Sequence, residues 1–282
     1  MKLATFHVDG TTSWGVIEGG HAIDTGAVLR GRFADLRAVL AADALGAVRD
    51  AIETAPRHAL GDLVWLPVIP NPEKILCIGL NYELHRAETG RSEVANPTIF
   101  ARFTNSQTGH LAPMPRPRVS SDFDYEGELA VIIGKPGRYI GRDEALAHVA
   151  GYACYNDGSV RDFQRHTHQF TPGKNFPETG AFGPWMVTPD EFGALGPQRL
   201  QTRVNGAVVQ DAKLSEMIFD VPRQIEYCSS FTRLEAGDVI ATGTPGGVGA
   251  KRQPPLWLTP GDTVEVEIDG IGVLVNPISQ EM

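Results

Sequence analysis

Two acids open a strand that should be apolar. In "FDYEGELAVIIGK", residues 123–135, the β-rich run 129–133 stops at Gly134 and starts with Glu126-Gly127-Glu128. Residues two apart in a strand face the same side of a sheet, so this spacing sets two carboxylates side by side. Oxygen-preferring divalent cations such as Mg²⁺ and Mn²⁺ need carboxylates that converge from well-placed elements. A third is available in "GYACYNDGS", where Asp157 follows an apolar, strand-like segment and precedes a glycine. Two plainer readings compete: a water-facing Glu-x-Glu pair on an edge strand, and an ordinary Asp-Gly turn. The apolar company of both segments favours the cation, because lone carboxylates are costly to desolvate there. Gly127 is read as keeping the opposite face small where the chain packs closely.

A second constellation lies upstream. "IGLNYELHRAETG" predicts a short helix with Asn81 as its N-cap and Gly90 as its stop. His85 and Glu88 are three apart and share a helix face. A carboxylate beside an imidazole orients the ring and raises its basicity, which gives a general base for activating water. An ion pair on an exposed helix describes the same residues. In "DGSVRDFQ", Arg161 and Gln164 follow Asp157 by four and seven residues, about one and two helical turns. Lys174 follows in "PGKNFPETG". On sequence alone Arg161 is equally a solvated helix charge and Lys174 an exposed loop residue.

Other motifs point away from competing chemistries. His166 and His168 in "HTHQF" have the spacing of a transition-metal pair, but the acids already form an oxygen-rich set, so these histidines are read as pocket wall or surface. No Gly-x-Ser-x-Gly elbow supports a serine nucleophile. "ATGTPGGVG" lacks the Gly-Lys-Ser/Thr ending of a phosphate-binding loop, and the adjoining "AKRQPP" cannot continue as a smooth helix.

The elements that must position these residues are mostly strands. Residues 1–70 read as a small N-terminal α/β unit. "KLATFHVDGTTSWGVIEGGHAIDT" alternates as hairpin strands, with turns at Asp9-Gly10 and Gly19-Gly20, and "RFADLRAVLAADALGAVRDAIETA" has helical spacing. The proline-rich "LPVIPNPEKI" links it to residues 71–282, where short β-rich runs dominate and only "RDEALAHVA" and "MIFDVPRQIEYCSSF" suggest further helices. The expected class is α+β, mostly β, with strands rolled over a core. A net charge of −9 without a basic run argues against nucleic acid and anionic membranes as partners. No apolar run approaches the ~20 residues of a membrane span, and the N-terminus lacks the apolar core of an export signal. Cys77, Cys154 and Cys228 are too scattered for a zinc site and read as reduced thiols of a cytoplasmic protein.

"EGELAVIIG", "GYACYNDGSVRDFQ", "GKNFPETGAFGPWMVT" and "GDVIATGTPGGVG", in this order, resemble the fumarylacetoacetate hydrolase family from about Lys74 to the C-terminus. The resemblance implies a β-roll catalytic domain behind a small N-terminal domain, assembled as a homodimer. It places the metal ligands on Glu126, Glu128 and Asp157, for Mg²⁺ or Mn²⁺, with Ca²⁺ as a further option. It puts His85 and Glu88, within N-Y-x-x-H-x-x-E, on a lid that acts on water. Arg161, Gln164 and Lys174 would line the pocket, Lys174 supporting charge on a substrate oxygen, and Thr244 would face the substrate's carboxylate end. Arg102 and Ser106 fall where the family often places substrate-side residues.

The implied function is a metal-dependent hydrolase that breaks the C–C bond of an acylpyruvate-like or other β-diketo acid. Relatives that decarboxylate, isomerise or dehydrate 2-oxo diacids or sugar acids through the same enolate supply the alternative. A metal-stabilised binding module without turnover is a third reading.

Overall fold

The computed structural model describes residues 1–90 and 94–282. The buried strand Gly127–Ile133 is its axis. It pairs antiparallel with Val149–Asn156 on one side and Val239–Ala241 on the other. Leu129, Val131 and Ile133 enter one core, and Ala130 and Ile132 another. Burial on both faces explains why this segment reads as a continuous apolar run instead of an alternating one.

Among the described residues, the sheet around this axis has twelve strands. Beyond Val149–Asn156 it continues through Gly180–Val187 to Lys2–Val8, Thr11–Glu18 and His21–Ile23; beyond Val239–Ala241 lie Ile75–Gly79 and Thr98–Arg102. A five-stranded sheet, built on Arg199–Val204, Thr263–Ile268 and Gly272–Gln280, covers the first core with Leu200, Val266 and Leu274. The second core is closed by Leu36, Val39 and Val48 of the short helices Leu36–Ala41 and Leu45–Ala51. The architecture is therefore mostly β, and no helix among the described residues is long and apolar enough to cross a membrane.

The first hairpin turns at Asp9 and Gly10 with both φ values positive, the geometry an Asp-Gly pair favours. The helical pattern after it divides into two short helices, with Asp43 between them in the left-handed region at φ 49°. Lys2 and Leu3 pair with Val187 and Met186, so the sheet passes without a break from the first residues into the strands that hold the acids. "RDEALAHVA" forms a 3₁₀ helix, Arg142–His148, and the second suggested helix spans Val221–Phe231 with Asp220 capping Arg223 N–H.

One predicted cap is not made. The helix Glu83–Thr89 has Tyr82 at its N-cap, while Gly90 stops it in the left-handed conformation as expected. Asn81 instead bonds across the fold: its Nδ2 donates to Phe219 O and Thr242 O, and its Oδ1 accepts from Phe219 N–H. A fully buried amide is better satisfied by three such bonds than by one capping bond.

Gly127 has the close approach read from the sequence. A Cβ there would lie 2.0 Å from Thr202 Oγ1 and 3.3 Å from Val266 Cγ1, both on the covering sheet. Gly127→Ala should therefore force the sheets apart and cost about 1–3 kcal/mol. Thermal unfolding checks this; an unshifted melting temperature would show that the sheets part there freely.

Candidate active site

At the end of the central strand, the carboxylates of Glu126, Glu128 and Asp157 converge, with ligand oxygens all within 4.8 Å of one another. The ladder dictates the meeting. Glu128 pairs with Tyr155 and Gly127 with Asn156, and Asp157 N–H then donates to Glu126 O at 2.8 Å. Asp157 is fully buried and both glutamates nearly so, and negative groups so placed need positive partners.

The partners come from distant parts of the chain. Lys174 Nζ lies 2.7 Å from Glu126 Oε2 and 2.6 Å from Asp157 Oδ2. Arg161 reaches Glu126 Oε1 at 2.6 Å and Asp124 Oδ2 at 2.8 Å. Arg102 pairs with the other Asp157 oxygen and also donates to Gly158 O and Thr179 Oγ1. Burial acts to raise the pKa of Glu126, but Lys174 and Arg161 outweigh it and hold the carboxyl well below its usual range. Glu128 goes the opposite way, pushed well above the usual range by burial and then by Asp157 and Glu126. Among the described residues Glu128 has no salt-bridge partner; Gly243 N–H donates to its Oε2 at 2.9 Å. Three carboxylates, one of them lacking a counter-charge, fit a hard divalent cation that takes oxygen ligands.

The second constellation faces the same space. His85 is buried, with Nδ1 2.7 Å from Glu88 Oε1, and Glu88 Oε2 accepts Gly247 N–H at 3.0 Å. A cavity of about 510 Å³ is lined by His85, Glu126, Glu128, Arg161, Gln164, Lys174 and Thr244. His166 and His168 are on its wall as well. Asp157 lies against Lys174 beneath this surface, and Glu88 stands beside His85. Thr244 Oγ1 donates to Gly127 O, and Gln210 Nε2 donates to Thr244 Oγ1, so the threonine is tied to the strand that carries the acids.

Arg102 and Ser106, expected on the substrate side, are not among the residues that line this cavity. Arg102 is buried behind Asp157, with Ser106 hydrogen-bonded to it. The physical reason is the charge of Asp157, which needs a fixed cation on the side that Lys174 does not reach. Asp124 was missed. It joins Arg161 Nε to Gly249 and Ala250 N–H and so fixes the guanidinium that holds Glu126. The signal was present: Asp124, Glu126 and Glu128 alternate at the period of one strand face.

Residues 74–279 match the family model for fumarylacetoacetate (FAA) hydrolase, C-terminal. The chain belongs to this family. Oxaloacetate tautomerase YisK of Bacillus subtilis (strain 168) is 42% identical over 226 residues, covering 78% of this chain and 75% of the relative. The fumarylacetoacetate hydrolase of psychrophilic Exiguobacterium antarcticum superimposes with a TM-score of 0.88 at 35% identity, over the whole of both chains. A maleylpyruvate hydrolase from Sphingobium sp. SYK-6, solved with manganese(II) and pyruvate, has a TM-score of 0.84 at 26% identity, also over the whole of both chains.

The charge balance predicts how this family member responds to metal. Mg²⁺ should raise the melting temperature of chelator-treated protein, by about 2.7 kcal/mol of stabilisation at a hundredfold excess over Kd. Glu128→Gln should remove most of that increment. The increment should grow with pH. The stability gained by holding Glu128 neutral is complete below the ordinary glutamate range and is lost as pH rises through its raised value. Melting curves with chelator or Mg²⁺ across pH test both; an equal increment in the variant would exclude Glu128 as a ligand.

Proposed function

We propose that the protein interconverts the enol and keto forms of a short 2-oxo diacid, with oxaloacetate as the type substrate, in a divalent-cation-dependent proton transfer. The observation that carries this reading is the position of His85, fixed by Glu88 at 2.7 Å and facing the cavity whose floor holds Glu126, Glu128 and Lys174. With Nδ1–H donating to Glu88, a neutral His85 presents an unprotonated Nε2 to the cavity as a general base. Ketonisation moves one proton from the enol hydroxyl and delivers one to C3. His85 accepts or returns that proton, and Glu88 stabilises the imidazolium between the two events. Lys174 keeps two carboxylates in place and adds positive charge beside the substrate oxygen. Glu126, Glu128 and Asp157 would hold a divalent cation, which would supply positive charge to offset that of the enolate. Resemblance to an oxaloacetate tautomerase at 42% identity supports this choice of reaction.

The second reading is hydrolysis of the C–C bond of an acylpyruvate-like or other β-diketo acid, with the same His85–Glu88 pair activating water. The likeness to a maleylpyruvate hydrolase supports it. A homodimer, the assembly the family resemblance implies, belongs to either reading.

His85→Ala should lower Mg²⁺-dependent ketonisation of oxaloacetate by about 10²–10⁴-fold while keeping the Mg²⁺-dependent rise in melting temperature. Decay of enol absorbance and deuterium uptake at C3 report the first; a variant as fast as the parent would remove His85 from the chemistry. Release of pyruvate from an acylpyruvate, without ketonisation of oxaloacetate, would move the assignment to hydrolysis.

A further inference from the structure

The cavity has buried groups at its floor and exposed cations at its mouth. Glu126, Glu128 and Lys174 are buried, whereas Arg165 and Lys251, on the same cavity wall, are exposed. Almost all the cations around the floor are engaged by carboxylates. Those at the mouth are different: among the described residues, neither the Arg165 guanidinium nor the Lys251 ammonium forms an ion pair or a side-chain hydrogen bond. In a chain of net charge −9, two cations without a paired carboxylate stand beside one cavity.

Both are carried on segments that share an anchor. Arg165 caps the helix Arg161–Gln164, its own N–H bonded to Asp162 O at 3.0 Å. Lys251 ends the 3₁₀ turn Gly249–Lys251. The Asp124 carboxylate takes Arg161 Nε from the first segment, and Gly249 and Ala250 N–H from the second. One buried side chain therefore sets where both cations leave the backbone, relative to each other and to Glu126.

We propose that Arg165 and Lys251 form a subsite for the distal carboxylate of the substrate, so that the cavity selects 2-oxo diacids over monoacids with the same reacting end. This rests on the enol–keto reading for the reacting end. On this proposal the 2-oxo acid head lies at the acidic floor, and the far carboxylate extends along the wall that carries Arg165 and Lys251. Exposure makes each contact a modest one, suited to discrimination and capture more than to chemistry.

The test compares oxaloacetate with its C4 methyl ester, which lacks only the distal charge, on the Mg²⁺-loaded enzyme. The wild type should prefer the diacid in kcat/KM. R165A and K251A should each reduce that preference about three- to fivefold, mainly through KM. Equal losses on the two substrates, or an unchanged preference, would overturn the subsite and leave both residues as solvated surface charges. Calorimetric binding of L-malate and its C4 methyl ester to the same proteins gives a readout free of turnover. A wild type that converts neither oxaloacetate nor its ester, yet favours malate through Arg165 and Lys251, would keep the subsite and overturn the enol–keto reading. A wild type with no preference between malate and its ester would overturn the subsite whatever the turnover.

Discussion

Three carboxylates buried within a few ångströms of one another repel strongly in a medium that screens them poorly. Much of the site can be understood as the consequence of keeping Glu126, Glu128 and Asp157 there. Lys174 bridges two of them, Arg161 neutralises Glu126 from the cavity side, and Arg102 supports Asp157 from behind. Counting Asp124, four carboxylates stand among three cations, and among the described residues Glu128 is the one left without a salt bridge. Glu128, an acid without a paired cation beside two that have one, is what suits the cluster to a divalent cation instead of a closed ion-pair network.

The segment after Val239–Ala241 performs the complementary task with backbone alone. Gly243 N–H bonds to Glu128, Gly247 N–H to Glu88, and Gly249 and Ala250 N–H to Asp124. One short loop thus connects Glu128 and Asp124 to Glu88, the partner of His85. Its glycines answer to geometry: Gly243 has φ +99°, and a Cβ there would stand 2.6 Å from Asn81 Cβ. The same Asn81 ties the start of the His85 helix to Phe219 and Thr242. His85 and the acids are therefore held to a common frame, the fixed geometry that the proposed proton transfer requires.

The strands beneath supply rigidity. Because the central strand is buried on both faces, slipping its register by one residue would drive the acids into an apolar core. The opposite face of Gly127 is packed so tightly against Thr202 that the strand has little freedom to shift or tilt there. The first residues of the chain extend this sheet by pairing with Gly180–Val187, the neighbour of the strand that leads to Asp157. The helices at Leu36–Ala41 and Leu45–Ala51 then cover the core on that side.

Short-range periodicity was enough to place the features that depend only on near neighbours in the chain. A period of two put Glu126 and Glu128 on one face, a spacing of three put His85 beside Glu88, and Asp9-Gly10 set the first hairpin turn. The mostly β class was legible for the same reason, since strand patterns repeat locally. Local signals failed where a polar side chain had a better partner far away. Asn81 looked like a helix cap and became a cross-fold bridge to Phe219 and Thr242; Arg102, which the family resemblance put on the substrate side, pairs with Asp157. Asp124 carried a readable spacing but no readable partner. Those pairings arise in the tertiary fold, because Lys174 meets Glu126 across 48 residues, Arg102 meets Asp157 across 55, and Gly247 meets Glu88 across 159. Which donor neutralises which buried acid depends on how the sheets fold over one another, and no local pattern encodes that.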